Sequence, residues 1–155
     1  MMDILTTLEA SAFSTWLRES STMWAYPAVL TLHTVGLAVL VGASWAVDLR
    51  VLGFAEGIPL AALARAFPVM WIGFWVNAIS GAMLFAADAT TKGTTLLFMS
   101  KLGLVVVGVV TIVMIRRTVY GHGEPRLGTA ARALAVTSLV VWIAAIATGR
   151  WMAYI

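Results

Sequence analysis

The chain has 155 residues, of which 61% are hydrophobic and 11% are charged, and its net charge is +3. That composition excludes a soluble domain, because a chain of this length cannot hide so much apolar surface from water. The absence of cysteine excludes disulfides, thiolate metal sites and thiol catalysis. The basic residues are spread along the chain rather than clustered, so we expect no nucleic acid among its partners. We expect a single transmembrane domain over residues 1–155, with the lipid bilayer around it.

The N-terminal segment predicts an amphipathic helix that lies on the membrane surface. Apolar side chains recur at helical spacing between Leu5 and Leu17, and the charged residues fall on other faces. The segment lacks the basic start and the continuous apolar core of a cleaved signal peptide, and it carries Asp3 and Glu9. We therefore expect a surface helix and not a signal peptide.

Four apolar stretches follow, each about as long as a bilayer crossing requires. They cover approximately residues 23–47, 67–87, 96–115 and 133–149. The expected fold class is all-α: an integral membrane bundle of four transmembrane helices, preceded by the surface helix.

The distribution of Lys and Arg predicts the orientation of these spans. The first and third loops hold Arg50, Arg65, Arg116, Arg117, Arg126 and Arg132, whereas Arg18, Lys92, Lys101 and Arg150 lie in the other connections and span ends. Since positive charge favours the inner side, we expect loops one and three inside and both termini outside.

A weak internal repeat relates the two halves of the chain. Each half contains a span that ends in arginine, a loop with Gly-x-Pro and then an Arg-Ala pair. An offset of 68 residues maps His33 onto Lys101 (101 − 33 = 68). The pattern indicates a duplicated helical hairpin with a pseudo-two-fold axis along the membrane normal, although small residues and proline also recur by chance in membrane loops.

His33 is the histidine inside a predicted span, about 14 Å along that span from its outer end. An imidazole in hydrocarbon marks a functional site, because an unpaired polar group there is costly. His33 is a candidate to ligate a b-type haem, to bind a metal ion or to pass protons. The alternative is an interhelical hydrogen bond that stabilises the bundle.

A haem would need a second axial ligand from another source. The other histidine, His122, falls in the third loop, where we interpret it as a solvated residue. The second ligand would therefore be a methionine, a residue of a second protomer, or none at all. The candidates by residue type are Met70, Met83, Met99 and Met152, although methionine in a membrane helix usually serves packing.

Lys101 and Arg150 form the second group of candidates. Lys101 lies about five residues into the third span, and Arg150 follows Thr148-Gly149 at the end of the fourth. Each one alone is best explained by snorkelling to the lipid headgroups. Together with His33, they predict one outer-side site for an anionic group such as a haem propionate, a quinone head-group or a lipid phosphate. Of the acidic residues, Asp88 is near enough in depth to offset their charge.

Two further polar groups are interpreted as structural. Gly73, Asn77 and Gly81 recur at four-residue spacing, which favours close helix contact with the asparagine as a hydrogen-bonding wedge. Asp48 and Arg50, at the inner end of the first span, are interpreted as an interfacial charge pair.

Several runs resemble a family of small, uncharacterised bacterial inner-membrane proteins, a domain of unknown function. The resemblance rests on residues 33–38, 47–53, 80–89 and 149–154, together with Phe98 and Lys101. That family is distantly similar to copper-resistance D-type and b-type cytochrome membrane domains. The resemblance implies a four-helix bundle in the bacterial inner (plasma) membrane, without an established activity. This chain departs from the cytochromes because it lacks a second intramembrane histidine.

Three functions remain open at this point. The first is electron transfer by a protein that binds haem b or a quinone, with His33, Lys101 and Arg150 around the cofactor. The second is a non-catalytic accessory subunit that forms a homo-oligomer or joins a larger membrane complex through small-residue faces. The third is a small-solute or ion transporter, which four spans without an acidic residue at mid-membrane make less favourable.

Overall fold

The computed structural model describes residues 2–22, 24–121, 125, 127–152 and 154. These residues form eight helices and no strand, which confirms the all-α prediction. In chain order the helices are α1 (Met2–Glu9), α2 (Ala12–Glu19), α3 (Tyr26–Val51), α4 (Leu60–Leu63), α5 (Ala66–Ala87), α6 (Ala89–Gly93), α7 (Leu96–Tyr120) and α8 (Thr129–Trp151).

Among the described residues, four segments are long and apolar enough to cross a membrane: α3, α5 with the short α4 before it, α7 and α8. The chain is therefore a multi-pass membrane protein. Three of these helices extend past the predicted limits: α3 ends at Val51, α7 ends at Tyr120 and α8 begins at Thr129. Backbone hydrogen bonding continues beyond the hydrocarbon layer, whereas the apolar pattern stops near the first arginine.

The end of α3 is set by Gly53, whose φ of 103° lies in the left-handed region that favours glycine. The Gly53 amide donates to the Arg50 carbonyl at 3.2 Å, and the Phe54 amide donates to the Leu49 carbonyl at 2.9 Å. These two bonds are the Schellman pattern, which closes a helix by pairing its last carbonyls. The chain therefore turns away from α3 at the first loop.

The N-terminal segment is helical, as predicted, but it forms two helices rather than one. The break lies at Ser11, which caps α2 by accepting a hydrogen bond from the Ser14 amide. The Ser14 hydroxyl donates to the Ala86 carbonyl at 3.1 Å, and the Arg18 guanidinium donates to the Ala87 carbonyl at 3.1 Å. Residues 2–19, the N-terminal cap, therefore satisfy carbonyls at the last turn of α5.

The N-terminal cap also holds α6. The Glu9 carboxylate accepts hydrogen bonds from the Thr90 amide at 2.8 Å and from its hydroxyl at 2.5 Å. Arg18 forms an ion pair with the other oxygen of Glu9 at 3.0 Å. The apolar surface that the cap leaves exposed is the face expected to meet lipid, and it includes Met2, Ile4, Leu8, Phe13 and Trp16.

The spanning helices form two hairpins, α3 with α5 and α7 with α8, which meet where α3 contacts α8. The buried core contains Leu40, Val47, Met70, Ile115 and Trp142. Large apolar side chains cover the outer faces, as a lipid-facing surface requires, and they include Ile72, Trp75, Val106, Val140 and Ile143.

Candidate functional site

The site is built where α3 and α5 approach backbone to backbone. A Cβ atom added at Gly36 would lie 2.6 Å from the Asn77 amide nitrogen, and one added at Gly73 would lie 2.7 Å from the Leu40 amide nitrogen. Only glycine permits this separation, which confirms that Gly73 mediates close helix contact. Because the two helices lie so close together, the His33 side chain of α3 contacts one face of α5.

His33 bonds to α5 on one side of its ring. Its Nδ1 lies 3.0 Å from the Asn77 carbonyl oxygen and 3.3 Å from the Ser80 hydroxyl. The Asn77 side-chain amide donates to the His33 carbonyl at 2.8 Å, so the asparagine is the predicted wedge. A Cβ atom at Gly81 would lie 3.0 Å from the ring carbon Cε1, so that glycine makes room for the imidazole.

The Asn77 carbonyl favours one tautomer of the His33 ring. A carbonyl oxygen only accepts, so it pairs with Nδ1 when Nδ1 carries the hydrogen, and the Asn77 side-chain nitrogen lies 3.2 Å from Nδ1 and 3.5 Å from Nε2. In a neutral ring, Nε2 is then the nitrogen that can accept a hydrogen bond or bind a metal ion. The same arrangement of a donor to a backbone carbonyl orients metal-ligating histidines.

Lys101 occupies the matching position in the second hairpin. A Cβ atom at Gly149 would lie 3.3 Å from Lys101 Cε and 3.4 Å from its Nζ, so the lysine side chain lies on this glycine. The offset that relates His33 to Lys101 also relates Gly81 to Gly149 (149 − 81 = 68). The predicted repeat therefore describes a shared contact as well as shared residue types.

His33 and Lys101 lie at the same end of the bundle, each against a glycine of the neighbouring helix: His33 against Gly81 and Lys101 against Gly149. Arg150 is at the same end of the bundle but bonds elsewhere: its guanidinium donates to the Tyr154 hydroxyl at 3.0 Å and lies 5.3 Å from the centre of that ring. Asp88 forms an ion pair with Lys92 at 3.2 Å. In the part of the chain that the structure describes, Lys101 has no carboxylate partner.

Three of the four methionines that are candidates for a second haem ligand lie in different surroundings. Met70 is buried in the core beside Leu40, Met83 packs against the cluster that contains Leu17, and Met99 is 53% exposed. His122 lies outside the described residues, as do Gly123 and Glu124 of the predicted loop motif.

The larger of the two cavities described lies at the opposite end of the bundle. It is an open groove of about 530 Å³, lined by Trp71, Ile112, Val113, Arg116, Arg117, Tyr120 and Gly121. The Arg116 guanidinium lies 5.8 Å from the centre of the Phe67 ring. Since none of these lining residues is His33, Lys101 or Arg150, the groove is separate from the predicted site.

The predicted charge pair of Asp48 and Arg50 is wrong. Asp48 is 1% exposed and accepts a hydrogen bond from the Ser138 hydroxyl of α8 at 2.7 Å. Arg50 turns to the first loop, where its guanidinium donates to the Ile58 carbonyl at 2.7 Å and to the Glu56 carbonyl at 3.2 Å. Residues i and i+2 of a helix lie on different faces, and this is why the side chains of Asp48 and Arg50 do not meet.

The sequence interpretation missed this buried cluster, which we call the aspartate–serine cluster: Asp48, Ser44 and Ser138. A signal was available, because Ser44 and Asp48 are four residues apart and share one face of α3. Asp48 Oδ1 and the indole nitrogens of Trp45 and Trp142 are buried without a hydrogen-bond partner among the described residues.

Comparison with known proteins identifies the family. DUF6644, a family of unknown function, matches residues 19–155. The chain belongs to DUF6644. No curated protein and no solved structure matches the chain. The DUF6644 region contains all four spanning helices, the aspartate–serine cluster and the predicted site, whereas α1 and nearly all of α2 precede it. Membership in DUF6644 agrees with the resemblance to an uncharacterised family.

Proposed function

We propose that the chain binds a membrane quinone or quinol at the outer end of the bundle, for electron transfer. The observation that carries this proposal is the hydrogen bond from His33 Nδ1 to the Asn77 carbonyl, at 3.0 Å. It leaves Nε2 as the acceptor for a quinol hydroxyl, and it holds the ring in one orientation. The carbonyl and hydroxyl oxygens of such a head-group are the polar atoms that an apolar membrane site is built to recognise.

Lys101 supplies the complementary donor. An ammonium group inside a span without a carboxylate partner among the described residues is costly, and it is stabilised by an oxygen acceptor. Lys101 would donate to one ring oxygen of the quinone, and His33 would accept from the hydroxyl of the quinol. A bound quinone supplies two-electron, two-proton redox chemistry, and the chain supplies orientation and a proton acceptor. Arg150 would contribute long-range positive charge, since its side chain bonds to Tyr154.

Haem b stays the second cofactor of this proposal, with His33 as its ligand. The support for it is the position of His33, an imidazole inside a spanning helix. An absorption spectrum separates the two cofactors: a Soret band that shifts in His33→Ala would support haem, and a colourless protein would exclude it.

The test of quinone binding uses the purified protein in nanodiscs with a short-chain ubiquinone, followed by quenching of tryptophan fluorescence. His33→Phe keeps a ring against Gly81 but removes both nitrogens, and the backbone acceptor for Asn77 remains. We expect this variant to bind about tenfold more weakly, the loss of roughly 1.4 kcal/mol. Thr34→Ala is the matched control, because Thr34 is the exposed neighbour whose hydroxyl bonds to its own helix. Equal affinity in all three proteins would contradict the proposal.

An accessory role is the second candidate function, and two outward glycines favour it. Among the described residues, a Cβ added at Gly42 or Gly103 has no atom within 4 Å apart from its chain neighbours and the backbone of its own helix. These glycines do not serve packing inside the bundle, so they are available for close contact with a second protomer or a complex partner. Gly42→Leu should convert an oligomer to a monomer in mild detergent. A protein that is monomeric before the substitution, with no partner recovered from membranes, would exclude this role.

Both proposals assume a bacterial inner membrane with both termini outside. The support is the excess of arginine in loops one and three. A reporter that is active only in the cytoplasm, fused after Ile155, should therefore be inactive, and its activity would reverse the orientation.

A further inference from the structure

The aspartate–serine cluster lies inside the bundle, where α3 crosses α8. The exposed fractions are 1% for Ser44, 1% for Asp48 and 0% for Ser138. Both hydroxyls point to one carboxyl oxygen: Ser138 Oγ lies 2.7 Å and Ser44 Oγ lies 3.3 Å from Asp48 Oδ2. The two serine oxygens are 3.4 Å apart. The carboxyl group is therefore held by two helices and is buried between them.

No positive charge accompanies this carboxyl group in the described part of the chain. On its own helix, Arg50 bonds to the first loop, and His33 lies about 22 Å away at 1.5 Å per residue. On α8, the basic residue at this end is Arg132, which is exposed, and α5 contains no ionisable residue.

The basic residues at this end of α7 are exposed, and Lys101 lies near its other end. Arg116 and Arg117 are exposed, and the Tyr120 hydroxyl donates to the Leu60 carbonyl at 3.1 Å. An ionised Asp48 would thus be a buried charge without a counter-ion, which is strongly unfavourable.

The hydrogen bonds themselves match a neutral carboxylic acid. Two donors converge on Oδ2, whereas Oδ1 is buried without a partner among the described residues. A carboxylate spreads its charge over both oxygens, and both then require donors. In the neutral acid, Oδ2 is the carbonyl oxygen that accepts, and Oδ1 carries the hydrogen. An unpartnered O–H group is less costly than an unpartnered negative charge.

We propose that Asp48, Ser44 and Ser138 form a proton-binding site buried in the bundle, in which the Asp48 carboxyl group holds one exchangeable proton. A proton suits this site better than a sodium ion does, because the cluster offers four side-chain oxygens and the buried side chains of Val47, Val51 and Trp142 on the same two helices add none. This proposal is independent of quinone binding, since Asp48 and His33 lie near opposite ends of α3.

The first test is infrared spectroscopy of the protein in nanodiscs at neutral pH. We expect the carbonyl stretching band of a protonated carboxyl group, shifted in D₂O and absent in Asp48→Asn. Asp88→Asn is the matched control and should retain the band, because Asp88 forms a surface ion pair with Lys92. If Asp48→Asn does not fold, Ser138→Ala replaces it: the loss of the donor to Oδ2 should move the carbonyl band. A spectrum without a carboxylic acid band would overturn the proposal.

The second test is thermal unfolding as a function of pH. The unfolded chain exposes Asp48 to water and releases the proton, so raising the pH favours unfolding and the wild type should lose stability. Asp48→Asn should lack that part of the pH dependence, whereas Asp88→Asn should keep it. Stability that rises with pH would show that Asp48 is a buried carboxylate and would overturn the proposal. Greater stability in sodium than in potassium at constant pH would show that the site binds sodium instead of a proton.

Discussion

The two hairpins have the same topology, but their helices pack through different contacts. In the α3–α5 hairpin, glycines meet the backbone of the other helix: a Cβ at Gly36 would lie 2.6 Å from the Asn77 amide nitrogen. In the α7–α8 hairpin, a Cβ at Gly108 would lie 2.7 Å from Cζ2 of the Trp142 ring. A side chain can be replaced or repacked and a backbone cannot, so the first hairpin tolerates less change than the second.

The two hairpins also differ in how they bond the polar residue inside each one. His33 is bonded by Asn77 and Ser80, whose equivalents at the 68-residue offset are Ala145 and Thr148 (77 + 68 = 145; 80 + 68 = 148). Both hydroxyls donate to their own helix, Ser80 at the Val76 carbonyl and Thr148 at the Ala144 carbonyl, but Ala145 lacks the side-chain amide that Asn77 provides. The first hairpin thus satisfies its intramembrane polar group internally. The second leaves Lys101 for a ligand or a headgroup, and this difference underlies the proposed division of roles between the two residues.

The largest expected effect is at the backbone contact of the first hairpin. Gly36→Ala should destabilise the protein by about 1–3 kcal/mol or more, because the added methyl group forces α3 and α5 apart. Gly42→Ala is the control on the same helix, since among the described residues its added Cβ meets no atom of another helix within 4 Å. The measurement is thermal unfolding of both variants in the same detergent. Equal stability of Gly36→Ala and Gly42→Ala would show that the close approach is not required.

In the second hairpin, a second substitution should partly restore the stability that the first one removes. Gly108→Ala places a methyl group against the Trp142 ring, and we expect a loss of about 1–2 kcal/mol. Trp142→Phe should cost a similar amount by leaving space in the core. The double variant should be less destabilised than the sum of the single variants, because the smaller ring makes room for the methyl group. A double-mutant cycle measures this coupling, and strict additivity would contradict the comparison.

The smallest expected effect concerns the N-terminal cap, which packs on the first hairpin. The side-chain hydrogen bond from Thr90 is the main cause that lowers the pKa of Glu9, and the Thr90 amide and Arg18 act in the same direction. A carboxyl group with a lowered folded-state pKa stabilises the cap above its ordinary pKa, and this contribution is lost as the pH falls through the lowered value. Limited proteolysis within residues 2–19 should therefore accelerate on acidification.

Glu9→Gln should remove that pH dependence and open the cap at neutral pH. Glu19→Gln, at the far end of α2, serves as the control and should leave the acid response unchanged. A cap that is cleaved at the same rate across the pH range in wild type would show that the Glu9–Thr90 contact does not hold it.

Local pattern was enough to predict most of the fold. The four apolar stretches specify spanning helices because hydrocarbon leaves no other way to satisfy the backbone, and the glycine spacing around Asn77 predicted a close contact with another helix. The offset of 68 residues related Lys101 to His33 before their glycine contacts were known. The break at Ser11 was not predicted, because a serine within an amphipathic pattern signals a cap only when its side chain bonds to the next turn.

The sequence by itself determined that this chain crosses a membrane four times and that His33 and Lys101 lie near the same end. The free energy of transferring a segment from water to hydrocarbon depends on the composition of that segment alone, so spanning helices can be predicted without knowing their neighbours. Only the tertiary structure decided which polar groups meet: Asp48 turns from Arg50 to Ser138, and Arg150 turns to Tyr154. Hydrogen-bond partners depend on how helices distant in sequence cross and rotate, because a shift of one residue along a helix turns a side chain to another neighbour.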